Sequence, residues 1–168
     1  MGYRQISALF RTGIIFLSVS LVIQLLVITL PYWYFKEFSE SVSVNGGLLF
    51  ACAKIGHNKQ CGTIENPQDW YARTRDIELI AFLMLVTALI ICMIFLFVRD
   101  MKILKLVNWI LCFSSCGFII IGVTIYKTKS RDYLSDISSA FTLAIISGIA
   151  ALVAGVVCLM DWIKQSFV

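Results

Sequence analysis

Four uncharged stretches constrain this chain more than any other feature. They cover 12–35, 79–98, 106–126 and 137–160, and contain 24, 20, 21 and 24 residues between charged neighbours. A helix needs roughly 20 residues to cross a hydrocarbon core about 30 Å thick. Membrane spans are therefore expected at about 12–35, 77–98, 106–126 and 137–161. Helices of a soluble bundle would carry polar stripes at helical spacing, and these runs have almost none. Only 14% of the chain is charged, against about 25% in soluble domains. No repeat, low-complexity stretch or linker breaks the pattern, so 1–168 reads as a single four-span membrane domain whose first partner is the lipid bilayer.

Four spans place both termini on one side. Loops 36–76 and 127–136 then share the opposite side, and a basic turn with Arg99, Lys102 and Lys105 joins the middle spans. With cytoplasmic termini, six Lys and Arg lie inside and eight outside, against the simple positive-inside count. The flanks of the first span decide otherwise: Arg4 and Arg11 precede it and Lys36 follows it. Its apolar run also exceeds the roughly 7–15 residues of a cleavable signal core, so it is read as retained. The expected location is the plasma membrane, with both termini cytoplasmic. Glu78 and Asp161 are expected at span ends, within reach of water.

The large loop holds the two cysteines that lie outside apolar runs. Ser41-Val42-Ser43-Val44 alternates as a half-buried strand does, Asn45-Gly46-Gly47 suits a hairpin turn, and Leu48-Leu49-Phe50-Ala51-Cys52 suits a second strand. A two-residue turn at Gly56-His57 would pair Ile55 with Asn58, Lys54 with Lys59, Ala53 with Gln60 and Cys52 with Cys61. The cysteines then fall at a non-hydrogen-bonded pair, where side chains approach closely enough for a disulfide. An oxidising compartment favours that staple over two free thiols. A zinc site fits poorly, because His57 is the only histidine. The register sets Lys54 against Lys59, so either the turn is longer or the lysines face an anionic partner. Cys92, Cys112, Cys116 and Cys158 lie within spans and read as small buried residues. Cys158, near the inner boundary, is also a candidate for palmitoylation.

These features resemble the claudin superfamily: claudins, the peripheral-myelin and epithelial membrane proteins, and the γ-type auxiliary subunits of channels and receptors. Pro31 and Trp33 look like the family's Pro-x-Trp at the exit of the first span. Gly47-Leu48 with Cys52 and Cys61 looks like its Gly-Leu-Trp-x-x-Cys…Cys signature. Pro67 and Trp70 are similar to the Pro-x-acid-Trp of the myelin-protein branch, and Arg73 and Arg75 flank the position of a claudin arginine. Leu49 departs from the signature tryptophan, and the tail is short. The resemblance implies a membrane all-α four-helix bundle, left-handed, capped by a small extracellular antiparallel β-sheet. Trp33 would pack beneath the sheet beside the disulfide, against Gly47-Leu48.

No catalytic residues, metal site or cofactor emerge, because His57 lacks a partner nucleophile and no Cys-x-x-Cys pair exists. The net charge of +4 is too scattered for nucleic acid. Two binding roles are left. In one, Phe35, Phe38, Leu48, Leu49 and Phe50, with the charges of Lys54 and Lys59, meet the same protein or a claudin-like relative across a cell gap, as in junction and adhesion proteins. In the other, the chain is an auxiliary subunit that modulates a channel or receptor. The small residues Ala140, Ala144 and Gly148, and Ser147, Ala151 and Gly155, would let its fourth span approach the pore subunit. Ser166, Phe167 and Val168 form a candidate C-terminal ligand for a PDZ scaffold.

Overall fold

A computed structural model describes residues 7–39, 42–56, 58–64, 67–97, 102–130, 136–137 and 139–166. In chain order the elements are α1 (Ala8–Thr29), β1 (Tyr34–Ser39), β2 (Val42–Gly46), β3 (Phe50–Ile55), β4 (Asn58–Thr63), α2 (Asp69–Phe97), α3 (Lys102–Ser130), β5 (Asp136–Ile137) and α4 (Ser139–Ser166). All four helices are long and apolar enough to cross a membrane. The chain is a multi-pass membrane protein, a four-helix bundle with a small antiparallel sheet.

Several boundaries differ from the sequence reading. α1 ends at Thr29, not near 35, because Pro31 biases the preceding residue away from helix; Leu30 is extended, with φ −77° and ψ 133°. Six residues expected in the first span or its loop therefore form β1. α2 begins at Asp69, about two turns before the expected 77. Its charged start extends beyond the apolar run, with Asp69 in the first turn, where the helix dipole favours a carboxylate. α3 runs past 126 to Ser130. The expected turn at Asn45-Gly46-Gly47 also shifts: Asn45 and Gly46 belong to β2, and the Gly47 amide donates to the Phe50 carbonyl at 2.7 Å.

The sheet order is β4-β3-β2-β1-β5. α1 packs on α4, α4 on α3 and α3 on α2; α2 returns to α1 through the smallest of these interfaces. Two apolar clusters fill the bundle. One, below the sheet, includes Val27, Trp33, Leu48, Tyr71, Tyr126 and Phe141. The other, toward the opposite end, includes Phe10, Leu17, Leu85, Cys92, Cys112 and Ala154. A polar layer separates them. Ser20 Oγ donates to the Ser147 carbonyl at 2.9 Å, Ser147 Oγ donates back to the Ser20 carbonyl at 3.0 Å, and Ser115 Oγ donates to the Ala81 carbonyl at 3.0 Å. Hydroxyls that bond backbone carbonyls hold helices together where lipid provides no hydrophobic drive.

Candidate functional site

The β3–β4 hairpin has the register derived from its sequence: Ile55↔Asn58, Lys54↔Lys59, Ala53↔Gln60 and Cys52↔Cys61. Gly56 sits at φ +60°, a left-handed conformation that glycine adopts without the usual Cβ penalty. Cys52 and Cys61 are disulfide-bonded, with Cα atoms 4.0 Å apart. His57 lies outside the described residues.

Directly paired residues share a face of the sheet, so register sorts the exposed side chains. Phe35 pairs with Asn45, Asn45 with Cys52 and Cys52 with Cys61. One rung away Phe50 pairs with Thr63, and on the other side Glu37, Ser43, Lys54 and Lys59 form a row. Phe35, Phe50, the disulfide and both lysines therefore lie on one face. Phe35 is 38% exposed and Phe50 42%. Among the described residues neither lysine makes a salt bridge.

The expected apolar patch is only partly present. Phe38 is exposed as expected, but on the other face with Lys36, whose Nζ lies 5.1 Å from its ring. Leu48 is fully buried and Leu49 packs against the core below the sheet. The reason is the tight approach at Gly47, where any Cβ would collide with the Leu30 carbonyl and Pro31. That approach pulls Leu48 inward.

Under the sheet Trp33 is fully buried. Its indole Nε1 donates to the Val27 carbonyl at 2.8 Å, its amide donates to the Gly46 carbonyl at 2.7 Å, and its ring meets Tyr126 edge-on at 4.8 Å. Tyr71 Oη donates to the Gly47 carbonyl, which ties α2 to the loop before β3. Trp70 packs on Tyr126 at 5.9 Å and donates to Gln68 Oε1. Pro67 lies just before this turn. Burial pushes the Tyr34 phenol above its usual range. Arg73 is exposed, and Arg75 contacts its neighbour Asp76 at 3.5 Å. The structure gives neither arginine a bond to the sheet among the described residues.

Two acidic residues expected near water are buried instead. Asp161 is 1% exposed. It accepts from Ser7 Oγ, the N-cap of α1, and from Lys105 Nζ at 2.5 Å. Lys105 also stacks over Phe95 at 4.5 Å and Phe10 at 5.5 Å. One ion pair thus joins the ends of all four helices away from the sheet. Glu78 is fully buried, and its Oε2 accepts from Gln24 Nε2 at 2.6 Å. Nothing in the uncharged runs reveals these partners; the available signal is an acid bordering an apolar run, Glu78 before the second and Asp161 after the fourth.

The small-residue positions divide. Ala140, Ala144, Ser147 and Ala151 are fully buried. At Gly155 a Cβ would sit 3.2 Å from Cys112 Cβ, so that glycine serves packing of α4 on α3. Gly148 instead floors a lipid-facing groove of about 300 Å³ between α3 and α4, lined by Cys116, Ile120, Ile145, Ile149 and Leu152. All four thiols within the spans are buried, Cys158 included. Ser166 ends α4, while Phe167 and Val168 lie outside the described residues.

No protein-family profile matches the chain, and no characterised protein matches it in sequence.

Proposed function

We propose that this protein is a claudin-like tetraspan of the plasma membrane, without enzymatic activity, that organises cell–cell contacts through one face of its sheet. Both termini lie in the cytoplasm, which puts the disulfide in the oxidising exterior. One observation supports this reading above the others: exposed Phe35 and Phe50 share a face with Lys54 and Lys59, which make no salt bridge among the described residues, on a hairpin pinned by Cys52–Cys61. Exposed aromatic side chains beside charge are the usual makings of a recognition surface. The partner is a second copy of this chain or a claudin-like relative.

The test mixes cells that express the tagged protein with cells that do not. Enrichment is expected where two expressing cells meet, and Phe35→Ser with Phe50→Ser should abolish it while surface amounts stay normal. Equal enrichment by the double variant would reject the adhesive face.

The groove over Gly148 favours a second reading, an auxiliary subunit that packs laterally on a channel or receptor pore. Gly148→Leu would fill the groove and should release a co-purifying pore subunit. If no pore subunit travels with the wild-type protein, that reading is abandoned. A PDZ scaffold at Ser166, Phe167 and Val168 is compatible with either role.

A further inference from the structure

The Glu78–Gln24 contact is incompletely satisfied as a carboxylate and an amide. Gln24 Nε2 donates to Glu78 Oε2 at 2.6 Å. Glu78 Oε1 and Gln24 Oε1 are both buried acceptors without a hydrogen-bond partner. Both side chains are fully buried, on α2 and α1. α3 closes the space with Gly122, where a Cβ would run into the Glu78 carboxyl group. On α2, Thr74 is one turn away and spends its hydroxyl on the Trp70 carbonyl. Among the described residues no cation pairs with Glu78. Lys105, the buried ammonium, binds Asp161 about 25 Å further along α3 at about 1.5 Å per residue.

Two orphaned oxygens on facing buried groups, with no cation beside them among the described residues, call for one donor. A carboxylic acid supplies it. Its O–H can donate to the amide carbonyl while its other oxygen accepts from the amide nitrogen, which satisfies every acceptor at once. An ionised carboxylate would leave Glu78 Oε1 and Gln24 Oε1 without a donor in the bundle interior. We propose that Glu78 carries a proton on Oε1 and forms a cyclic acid–amide pair with Gln24, so that a proton is the ligand closing the seam between α1 and α2. This seam is smaller than the α1–α4, α2–α3 and α3–α4 interfaces, and the pair lies next to the layer of Trp33 and Tyr71 that supports the sheet.

Infrared difference spectroscopy of the full chain in lipid nanodiscs at neutral pH tests the assignment. Wild type minus E78Q should show the carbonyl stretch of a hydrogen-bonded carboxylic acid, which shifts in heavy water. In Q24L the same band should move to the higher frequency of an acid without that partner. An amide at position 78 can make the same two bonds, so E78Q should fold. If its yield collapses, carbon-13 carboxyl-labelled glutamate in wild type and Q24L reads the same band. Carboxylate bands in place of the acid band would overturn the proposal. So would an acid band that Q24L leaves unmoved, because the proton would then not be shared with Gln24.

Discussion

The two ends of the bundle are closed by different chemistry. At the sheet end, Trp33, Leu48, Tyr71 and Tyr126 form an apolar layer in which Trp33 Nε1 and Tyr71 Oη donate to nearby carbonyls and Tyr126 Oη is buried. At the other end, Ser7, Lys105 and Asp161 form a buried charged knot. The apolar layer gains from burial and close packing, and each lost contact has a bounded cost. The charged knot contributes little net stability as a whole, because desolvation offsets attraction; removing one partner strands the other. The first end suits a platform that must present a rigid sheet. The second suits a fastening that holds helix ends in one register.

The largest expected effect tests the charged end. Asp161→Ala should destabilise the protein by about 3–5 kcal/mol, because Lys105 loses its buried counter-ion. Replacing both, Lys105→Met with Asp161→Leu, should recover most of that loss. Thermal unfolding in detergent reads both, and equal losses for single and double variants would erase the contrast between the ends. Next comes the hairpin. Cys52→Ser should cost about 2–3 kcal/mol. Amide exchange should show the loss in β3 and β4 and leave the helices protected.

A smaller change probes the apolar end. Tyr71→Phe leaves the Gly47 carbonyl without its donor and should cost about 1–2 kcal/mol. Its loop should exchange faster while α1 and α4 are unaffected; spread of the effect to the far end would mean that the ends are not independent. The smallest effect is at the surface. Lys54→Glu turns a like-charge cross-strand pair into an opposite one and should stabilise the hairpin by a few tenths to about 1 kcal/mol. If the same variant weakens contact enrichment, the lysine pair is kept for its partner at some expense in stability.

Legibility in the sequence follows the same division. The β3–β4 register could be read because a two-residue turn fixes parity locally, and Cys52 opposite Cys61 satisfies it. Trp33 beneath the sheet came from the resemblance, and the structure places it there. β1 was hidden because Tyr34 and Phe35 continue the uncharged run of α1, and only Pro31 marks the break. The start of α2 was hidden by Arg73, Arg75 and Asp76, which look like loop although the helix extends beyond its apolar segment. Glu78 and Asp161 could not be placed, since their partners Gln24, Ser7 and Lys105 are on other helices and far away in sequence. Phe38 is exposed as its sequence suggests, but Leu48 and Leu49 pack inward, because burial depends on pairing and on the close approach at Gly47.

The most direct test of the proposed role is purification from native membranes in mild detergent, with mass spectrometry of what travels with the chain and in what ratio. Second copies and claudin-like relatives are predicted, and their recovery should fall when Phe35 and Phe50 are both changed to Ser. Pore-forming channel or receptor subunits at fixed stoichiometry, indifferent to Phe35 and Phe50 and lost with Gly148→Leu, would contradict the adhesive account and establish the auxiliary one.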